Sequence, residues 1–202
     1  MIRIIGKIPR EVTIACSGGV DSMVVVDFLQ KGKRKINLAY FDHDTAHSRN
    51  AQNFVEEFAS KQNMDLVIGK IKGTKGRRSM EEFWRDERYK FLERSKSKFV
   101  ITCHHLDDVV ETWVMSALHG KCKLIPYARS GKIYRPFLMT ERRSIEKYAK
   151  EKNVQWIEDP SNKEVNYVRN HVRHNLMPMA LKVNPGLRTT IRKKLIEIYQ
   201  KM

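Results

Sequence analysis

Residues 17–22, Ser-Gly-Gly-Val-Asp-Ser, constrain this chain more than any other stretch. An apolar run, Val12-Thr13-Ile14-Ala15-Cys16, leads into them, and Met23-Val24-Val25-Val26-Asp27-Phe28-Leu29 leads out. That order reads as buried strand, glycine turn and helix. Adjacent glycines let backbone N–H groups approach an anion closely, serine hydroxyls add donors, and the helix start adds the positive end of its dipole. Ser17, Gly18, Gly19, Val20, Asp21 and Ser22 are therefore the candidate phosphate cradle. Asp21 is an acid inside an anion site, which calls for a cation, and Mg²⁺ bound together with phosphate suits it. The plain alternative is an ordinary glycine-rich turn. A strand before and a helix after are the context a phosphate loop requires.

Apolar runs at 12–16, 36–41, 64–71 and 98–103 alternate with helical periods at about 22–31, 48–62, 79–95 and 106–119. In the second helix Phe54, Val55, Phe58 and Ala59 make one apolar face. Ser79-Met80-Glu81-Glu82 has the capping-box pattern that opens the third. Such alternation implies an α/β fold, a doubly wound parallel sheet with helices on both faces and right-handed crossovers. Ligands on these sheets bind beyond the carboxyl ends of the strands, so the loops after Cys16, Phe41, Ile71 and Cys103 are expected to converge.

From Lys121 the pattern changes. A short extended piece at 133–138 is followed by a helix expected to be capped by Thr140 and to run to about Asn153. A loop at 156–162 and two basic helices at about 167–182 and 186–200 complete the chain, with Pro185-Gly186 between those helices. The expected division is a catalytic domain over 1–138 and a helical extension over 139–202, which either completes the active site and handles the substrate, with tRNA as a candidate contact, or simply packs as a flank on the sheet.

Lys and Arg number 39 against 23 Asp and Glu, a net charge of +16. Such an excess favours a polyanionic partner, most simply nucleic acid, though an anionic membrane surface would use the same charge. No run approaches the ~18 apolar residues of a spanning helix, and the N-terminus lacks a signal peptide's apolar core, so a cytoplasmic location is expected. Cys16, Cys103 and Cys122 are widely spaced and form no C-x-x-C pair, which argues against a disulfide framework and a structural zinc site. Cys103, beside His104, is the one candidate for a reactive thiol.

Four motifs in order resemble one family. Ser17–Ser22 is similar to the pyrophosphate loop of the N-type ATP pyrophosphatases, which cleave ATP between its α and β phosphates. Arg85-Asp86-Glu87-Arg88-Tyr89-Lys90-Phe91-Leu92 resembles the R-x-x-R-Y-x-x-L helix of the tRNA(Ile)-lysidine synthetase family. His104-His105-Leu106-Asp107-Asp108-Val109-Val110-Glu111-Thr112 matches its H-H-x-D-D-x-x-E-T motif. Glu158-Asp159-Pro160-Ser161-Asn162 with Tyr167-Val168-Arg169-Asn170-His171-Val172-Arg173-His174 resembles its E-D-P-S-N…Y-x-R-N-x-x-R-H signature. The resemblance covers roughly residues 11–185. Two departures stand out: the family's H-x-x-H-x-L-R after the second strand is replaced by Asp42-His43-Asp44-Thr45-Ala46-His47-Ser48, and the sequence reads as a short form without the family's C-terminal tRNA-gripping domains.

The resemblance implies a ligase that joins L-lysine to C2 of the wobble cytidine in a CAU-anticodon tRNA(Ile), releasing AMP and diphosphate through an adenylated cytidine. It implies ATP and Mg²⁺ on residues 17–22, a catalytic role for Asp21 and Arg85, lysine recognition by Asp108 and Glu111, and nucleotide contact by His105. Another ATP-pyrophosphatase tRNA modifier, such as a thiolase, or a non-catalytic nucleotide- and RNA-binding adaptor are the alternatives. Read from the residues alone, Asp108 and Glu111 share one face of a helix start, which suits an ammonium, Mg²⁺ or a simple solvated acidic cap. Arg85 and Arg88 sit one turn apart, guanidiniums suited to charge that develops on phosphate, with Arg88 also a candidate bridge to Glu81 or Glu111. His104 fits nucleotide contact or a helix start, His43 and His47 read as polar loop residues, and Trp84 reads as core. The series Arg169, Arg173, Lys182, Arg188, Arg192, Lys193 and Lys194 and the basic loop 72–78 are candidate RNA contacts, or simply solvated charge.

Overall fold

A computed structural model describes residues 1–160 and 168–199. Its centre is a six-stranded sheet built from β1 (Glu11–Ala15), β2 (Lys35–Asp42), β3 (Leu66–Lys70), β4 (Val100–Thr102), β5 (Ala128–Arg129) and β6 (Ile133–Tyr134), in the order β3-β2-β1-β4-β6-β5. Every pairing is parallel except the antiparallel β5–β6 edge. The strands alternate between the two faces as a period of two requires. Ile14, Leu38, Tyr40 and Ile101 face one core, and Ala39, Val100 and Ile133 face another.

Helices α1 (Val20–Lys31), α2 (Ser48–Lys61) and α5 (Arg142–Glu151) share the first core, whereas Tyr89 and Leu92 of α3 (Met80–Glu93) share the second. Both faces are thus covered, as the α/β reading expects. The consecutive Val24, Val25 and Val26 of α1 are all buried because the helix lies between the sheet and α5, whose Ile145 and Ala149 join the same core. Burying each valine contributes roughly 1.5–3 kcal/mol, which outweighs a β-branched helix penalty of at most ~0.7 kcal/mol.

Helix α4 (Leu106–Ala117) packs with α8 (Leu187–Tyr199) in a third cluster that includes Val109, Val110, Ile191 and Leu195. Between them run α6 (Val168–His171), a π-helical turn at Val172–Leu176 and α7 (Met177–Val183), where one continuous helix was expected. Ser79 caps α3 as anticipated, accepting a hydrogen bond from the Glu82 N–H at 3.2 Å. Thr140 does not cap α5; Glu141 takes that position. The Thr140 hydroxyl is instead fully buried, donating to the Arg3 carbonyl at 2.7 Å and accepting from the Arg3 N–H at 2.9 Å. It is spent on holding the N-terminal segment.

Strand order reverses between β1 and β4: the chain leaves β1 towards β2 and β3, then returns to place β4 on the other side. That reversal opens a crevice at the carboxyl ends of β1 and β4. Residues 17–22 follow the first strand and residues 103–108 follow the second, so topology alone brings the two motifs together.

Candidate active site

The loop after β1 turns at Gly18, whose φ of +79° is the left-handed conformation that glycine adopts without penalty. Side-chain atoms of Ile157, Phe54 and Val55 crowd the place where a Cβ would stand. The Gly18 carbonyl accepts the Ile157 N–H at 2.9 Å, which fastens the stretch before Glu158 to the loop. Gly19 is the N-cap of α1 and supplies no side-chain acceptor, so the first-turn N–H groups remain available to a ligand. The loop is fixed from within: the Gly19 N–H donates to Ser17 Oγ at 3.4 Å, and the Ser22 hydroxyl donates to the Gly19 carbonyl at 2.8 Å.

Asp21 stands in the first turn of α1, and its Oδ1 is buried with no hydrogen-bond partner among the described residues. Burial raises its carboxyl above the usual range; His105 counters this while Asp108 adds to it. His105 Nε2 lies 3.7 Å from that oxygen. His105 is buried and caps α4: its Nδ1 accepts the Asp108 N–H at 3.4 Å, and Asp108 Oδ2 accepts the His105 N–H at 2.9 Å. The other ring nitrogen, Nε2, is the one that faces Asp21. His105 therefore ties the glycine loop to the acidic helix start across the switch point.

The acids of α4 are not free. Asp108 Oδ1 accepts from Arg169 at 3.0 Å and Arg173 at 3.3 Å. Glu111 accepts from Arg173 Nε at 2.7 Å and Arg169 Nε at 3.3 Å. Asp107 accepts from Arg188 at 2.7 Å and from the Arg142 backbone N–H at 2.8 Å. Burial alone would raise Asp108, but His105 and Arg169 drive it far below the usual carboxylate range. Three acids thus meet three arginines, each carboxylate already partnered.

Four members of the basic series expected along an RNA backbone therefore turn inward: Arg169, Arg173, Arg188 and Arg192, the last paired with Glu141. Lys182, Lys193 and Lys194 are exposed. Sequence spacing shows charge but not which face a helix buries, and the intervening π-turn changes that face.

Arg88 does not bridge to Glu81 or Glu111, because Glu111 is held by the other two arginines. Arg88 is half-buried, its Nε without a partner among the described residues, while Arg85 is exposed on the same helix. His104 bonds Thr102 Oγ1 at 3.0 Å; burial and then the cation of Arg88 hold its ring far below the ordinary histidine value, against the pull of Asp108. His43, read as a loop residue, is half-buried between Phe41 and Trp84 at ring distances of 5.0 and 5.8 Å. Burial and Arg88 push it down to about 4. His47 is the N-cap of α2 without a side-chain capping bond. Cys103 is held well above its usual range by burial, so the reactive-thiol reading lacks a thiolate. All three cysteines are free. Ser161, Asn162 and Tyr167 of the fourth motif lie outside the described residues.

Asp21 fits a magnesium ion. Mg²⁺ binds through one or two carboxylates and completes its shell with phosphate oxygens and water, and the unpartnered Oδ1 offers such a ligand beside an anion cradle. No cluster of three protein ligands stands among the described residues. No helix among them is long and apolar enough to cross a membrane.

Comparison with known proteins agrees with this geometry. The chain is similar to the tRNA(Ile)-lysidine synthase of Thermotoga sp. (strain RQ2), 33% identical over 198 residues, covering 90% of this chain and 48% of that protein. The enzyme of the same name from Persephonella marina is 34% identical over 193 residues, covering 87% and 42%. The chain thus spans about half the length of the curated relatives it matches. Among solved structures, the U34-tRNA thiolase NcsA from Methanococcus maripaludis aligns with a TM-score of 0.76 at 15% identity, covering 95% of this chain and 72% of that one. The NH3-dependent NAD synthetase from Campylobacter jejuni aligns at 0.50 and 14% identity. These two speak to the fold. A family profile described as a PP-loop domain matches residues 4–180, taking in the glycine loop, the capped acidic helix and two of the arginines that close on it, Arg169 and Arg173, and the chain belongs to that family.

Proposed function

We propose that this chain carries the catalytic machinery of a tRNA-modifying ligase that attaches L-lysine to the wobble cytidine of a CAU-anticodon tRNA(Ile). The observation that carries the reading is the switch-point pairing of the glycine loop with the His105-capped acidic helix, 3.7 Å apart at Asp21 and His105. Curated relatives of that name, similar over about nine-tenths of the chain, support it. In this reading the division at residue 138 is one of roles: residues 1–138 hold ATP, and residues 139–202 close the substrate side.

Val20, Asp21, Ser22 and the glycines would receive the phosphates of ATP through first-turn amides, with the Ser17 and Ser22 hydroxyls alongside. Asp21 would hold Mg²⁺, which when bound offsets phosphate charge. The cytidine O2 attacks the α-phosphorus, the bond to the β-phosphate breaks and diphosphate leaves. The ε-ammonium of lysine gives up one proton to water, the resulting amine attacks C2, AMP leaves with the former O2, and a second proton passes from the nitrogen to water. Arg85, exposed on α3, would meet phosphate charge as it develops. Asp108 and Glu111 recognise the lysine ammonium only by exchanging it for Arg169 or Arg173, since both carboxylates are occupied.

That occupancy favours one second reading, an ATP-dependent RNA modifier whose nucleophile is not lysine. Single-turnover reactions with ATP, Mg²⁺ and unmodified tRNA separate the two. The proposed function requires diphosphate release on RNA addition and AMP release that depends on lysine. AMP release indifferent to lysine supports the second reading, and no diphosphate release overturns both.

A further inference from the structure

The arginines of α3 belong to a larger cluster that neither the glycine loop nor the acidic helix accounts for. Four guanidinium carbons surround the ring of Tyr89: Arg129 at 4.1 Å from its centroid, Arg85 at 5.1 Å, Arg88 at 5.6 Å and Arg135 at 5.7 Å. They come from α3, β5 and the residue after β6, so the fold assembles them from three places in the sequence. Tyr89 and Arg135 are both 1% exposed. Arg135 donates to the Tyr89 hydroxyl at 2.9 Å and to the Pro126 carbonyl at 2.7 Å, which makes it the fixed base of the group.

The cluster is poor in counter-ions among the described residues. Among the described residues, Glu93 is the one carboxylate paired with it, through Arg129 Nε at 3.4 Å, and that acid also accepts the Ser130 hydroxyl at 2.8 Å. Arg88 and Arg135 each keep a buried Nε with no hydrogen-bond partner among the described residues. The phenol registers the field: burial pushes Tyr89 up, but Arg135 above all, then Arg85 and Arg88, bring it below its ordinary value. Elsewhere around the site the same fold pairs arginine with acid, at Arg169, Arg173, Arg188 and Arg192. Like charges gathered without acids are costly unless an anion completes them, and guanidinium forks match phosphate oxygens.

We propose that Arg88 and Arg129, arrayed on the Tyr89 ring and braced by Arg135, form a seat for a phosphate group distinct from the glycine loop. In the strand order β1-β4-β6-β5, Arg129 on β5 lies three strand spacings from β1, roughly 14 Å across the sheet. None of the seat's residues belongs to the glycine loop, and the phosphate it takes is a second one, either on the backbone of the bound RNA or in the diphosphate after it leaves the loop. The seat rests on the proposed function only for the class of its ligand.

The test titrates the full chain, without turnover, against a short RNA hairpin and separately against inorganic diphosphate, over a range of KCl. Arg88→Gln is compared with Arg88→Lys, and with Arg94→Gln, which removes the same charge at the far end of the helix. A backbone phosphate on the seat predicts at least a fivefold loss of RNA affinity in Arg88→Gln and a log–log salt slope shallower by about 0.7–0.9. Arg88→Lys recovers part of both, and Arg94→Gln stays within twofold of the parent chain. A loss confined to diphosphate also supports the seat and assigns it to the leaving group. Arg129→Gln, at a more exposed position, carries the same expectation and decides the matter if Arg88→Gln does not fold. RNA and diphosphate affinities unchanged in the folded variants would overturn the proposal, whatever the outcome for lysine transfer. Failure of lysine transfer with these losses intact would leave the seat standing.

Discussion

Gly18 and Gly19 are neighbours in the same loop, yet the structure gives them different work, and alanine at each separates folding from ligand binding. At Gly18 a Cβ would stand 3.0 Å from Ile157 Cγ2, 3.2 Å from Phe54 Cδ1 and 3.3 Å from Val55 Cγ2, on a backbone with φ +79°. The left-handed conformation costs about 1–2 kcal/mol for a residue with a Cβ. Crowding three packed side chains adds about 1–3 kcal/mol. Gly18→Ala should therefore destabilise the fold by about 2–5 kcal/mol. With a urea slope of ~2 kcal/mol per M, the unfolding midpoint falls by about 1–2.5 M. At Gly19 φ is −73°, and the one atom near an added Cβ is Ser17 Oγ at 3.5 Å, an ordinary contact. Gly19→Ala should keep its stability within about 1 kcal/mol of the parent, because a modest N-cap loss opposes a small entropic gain. Its methyl stands in the phosphate cradle, so ATP affinity should fall tenfold or more, about 1.4 kcal/mol. Urea denaturation followed by far-UV circular dichroism, with nucleotide titration of both variants, reads the two quantities. A Gly18→Ala protein as stable as the parent, or a Gly19→Ala protein that binds ATP normally, would refute the assignment.

Arg173→Met removes a guanidinium from Glu111 and Asp108 and leaves Arg169 as the one guanidinium on their buried carboxylates among the described residues. The expected loss is about 2–4 kcal/mol by urea denaturation, partly recovered when Glu111→Leu is added, and no loss would mean the network is not formed. His43 lies at about 4 in the fold against 6.5 unperturbed, so the folded state holds it neutral while the unfolded chain takes up a proton. Its contribution is complete above pH 6.5 and is lost as pH falls towards 4. By pH 5 His43→Asn should have closed the stability gap to the parent by about 1–2 kcal/mol relative to pH 7.5, and parallel pH profiles would contradict this.

Much of this molecule is legible before any coordinates. The four longer parallel strands and the helices between them announce themselves because each is long enough to display its period. The glycine loop is legible because its chemistry is local: Ser17 through Ser22 supply both the turn and the donors. The β5–β6 hairpin is legible only in part: the extended piece at 133–138 contains β6, but two residues per strand show no alternation, and β5 leaves no trace beyond the Ser130-Gly131 pair, both at positive φ. Thr140 misleads because a buried threonine and a capping threonine look alike in sequence. The acidic helix is half legible: Asp108 and Glu111 share a face as their spacing requires, but their partners lie about sixty residues away on α6 and its π-turn. Arg135 carries no local sign of its role at all. Only the closure of β6 beside β4 brings it beneath Tyr89.

The central claim is that the switch-point site joins lysine to RNA at the expense of ATP. Its most direct measurement is transfer of labelled lysine to unmodified CAU-anticodon isoleucine tRNA with ATP and Mg²⁺, beside methionine tRNA and an Asp21→Ala chain. The account predicts label on the isoleucine tRNA alone, dependent on ATP and abolished by Asp21→Ala. Diphosphate released with no label on any tRNA would contradict lysine as the nucleophile, and label that survives Asp21→Ala would contradict the site itself.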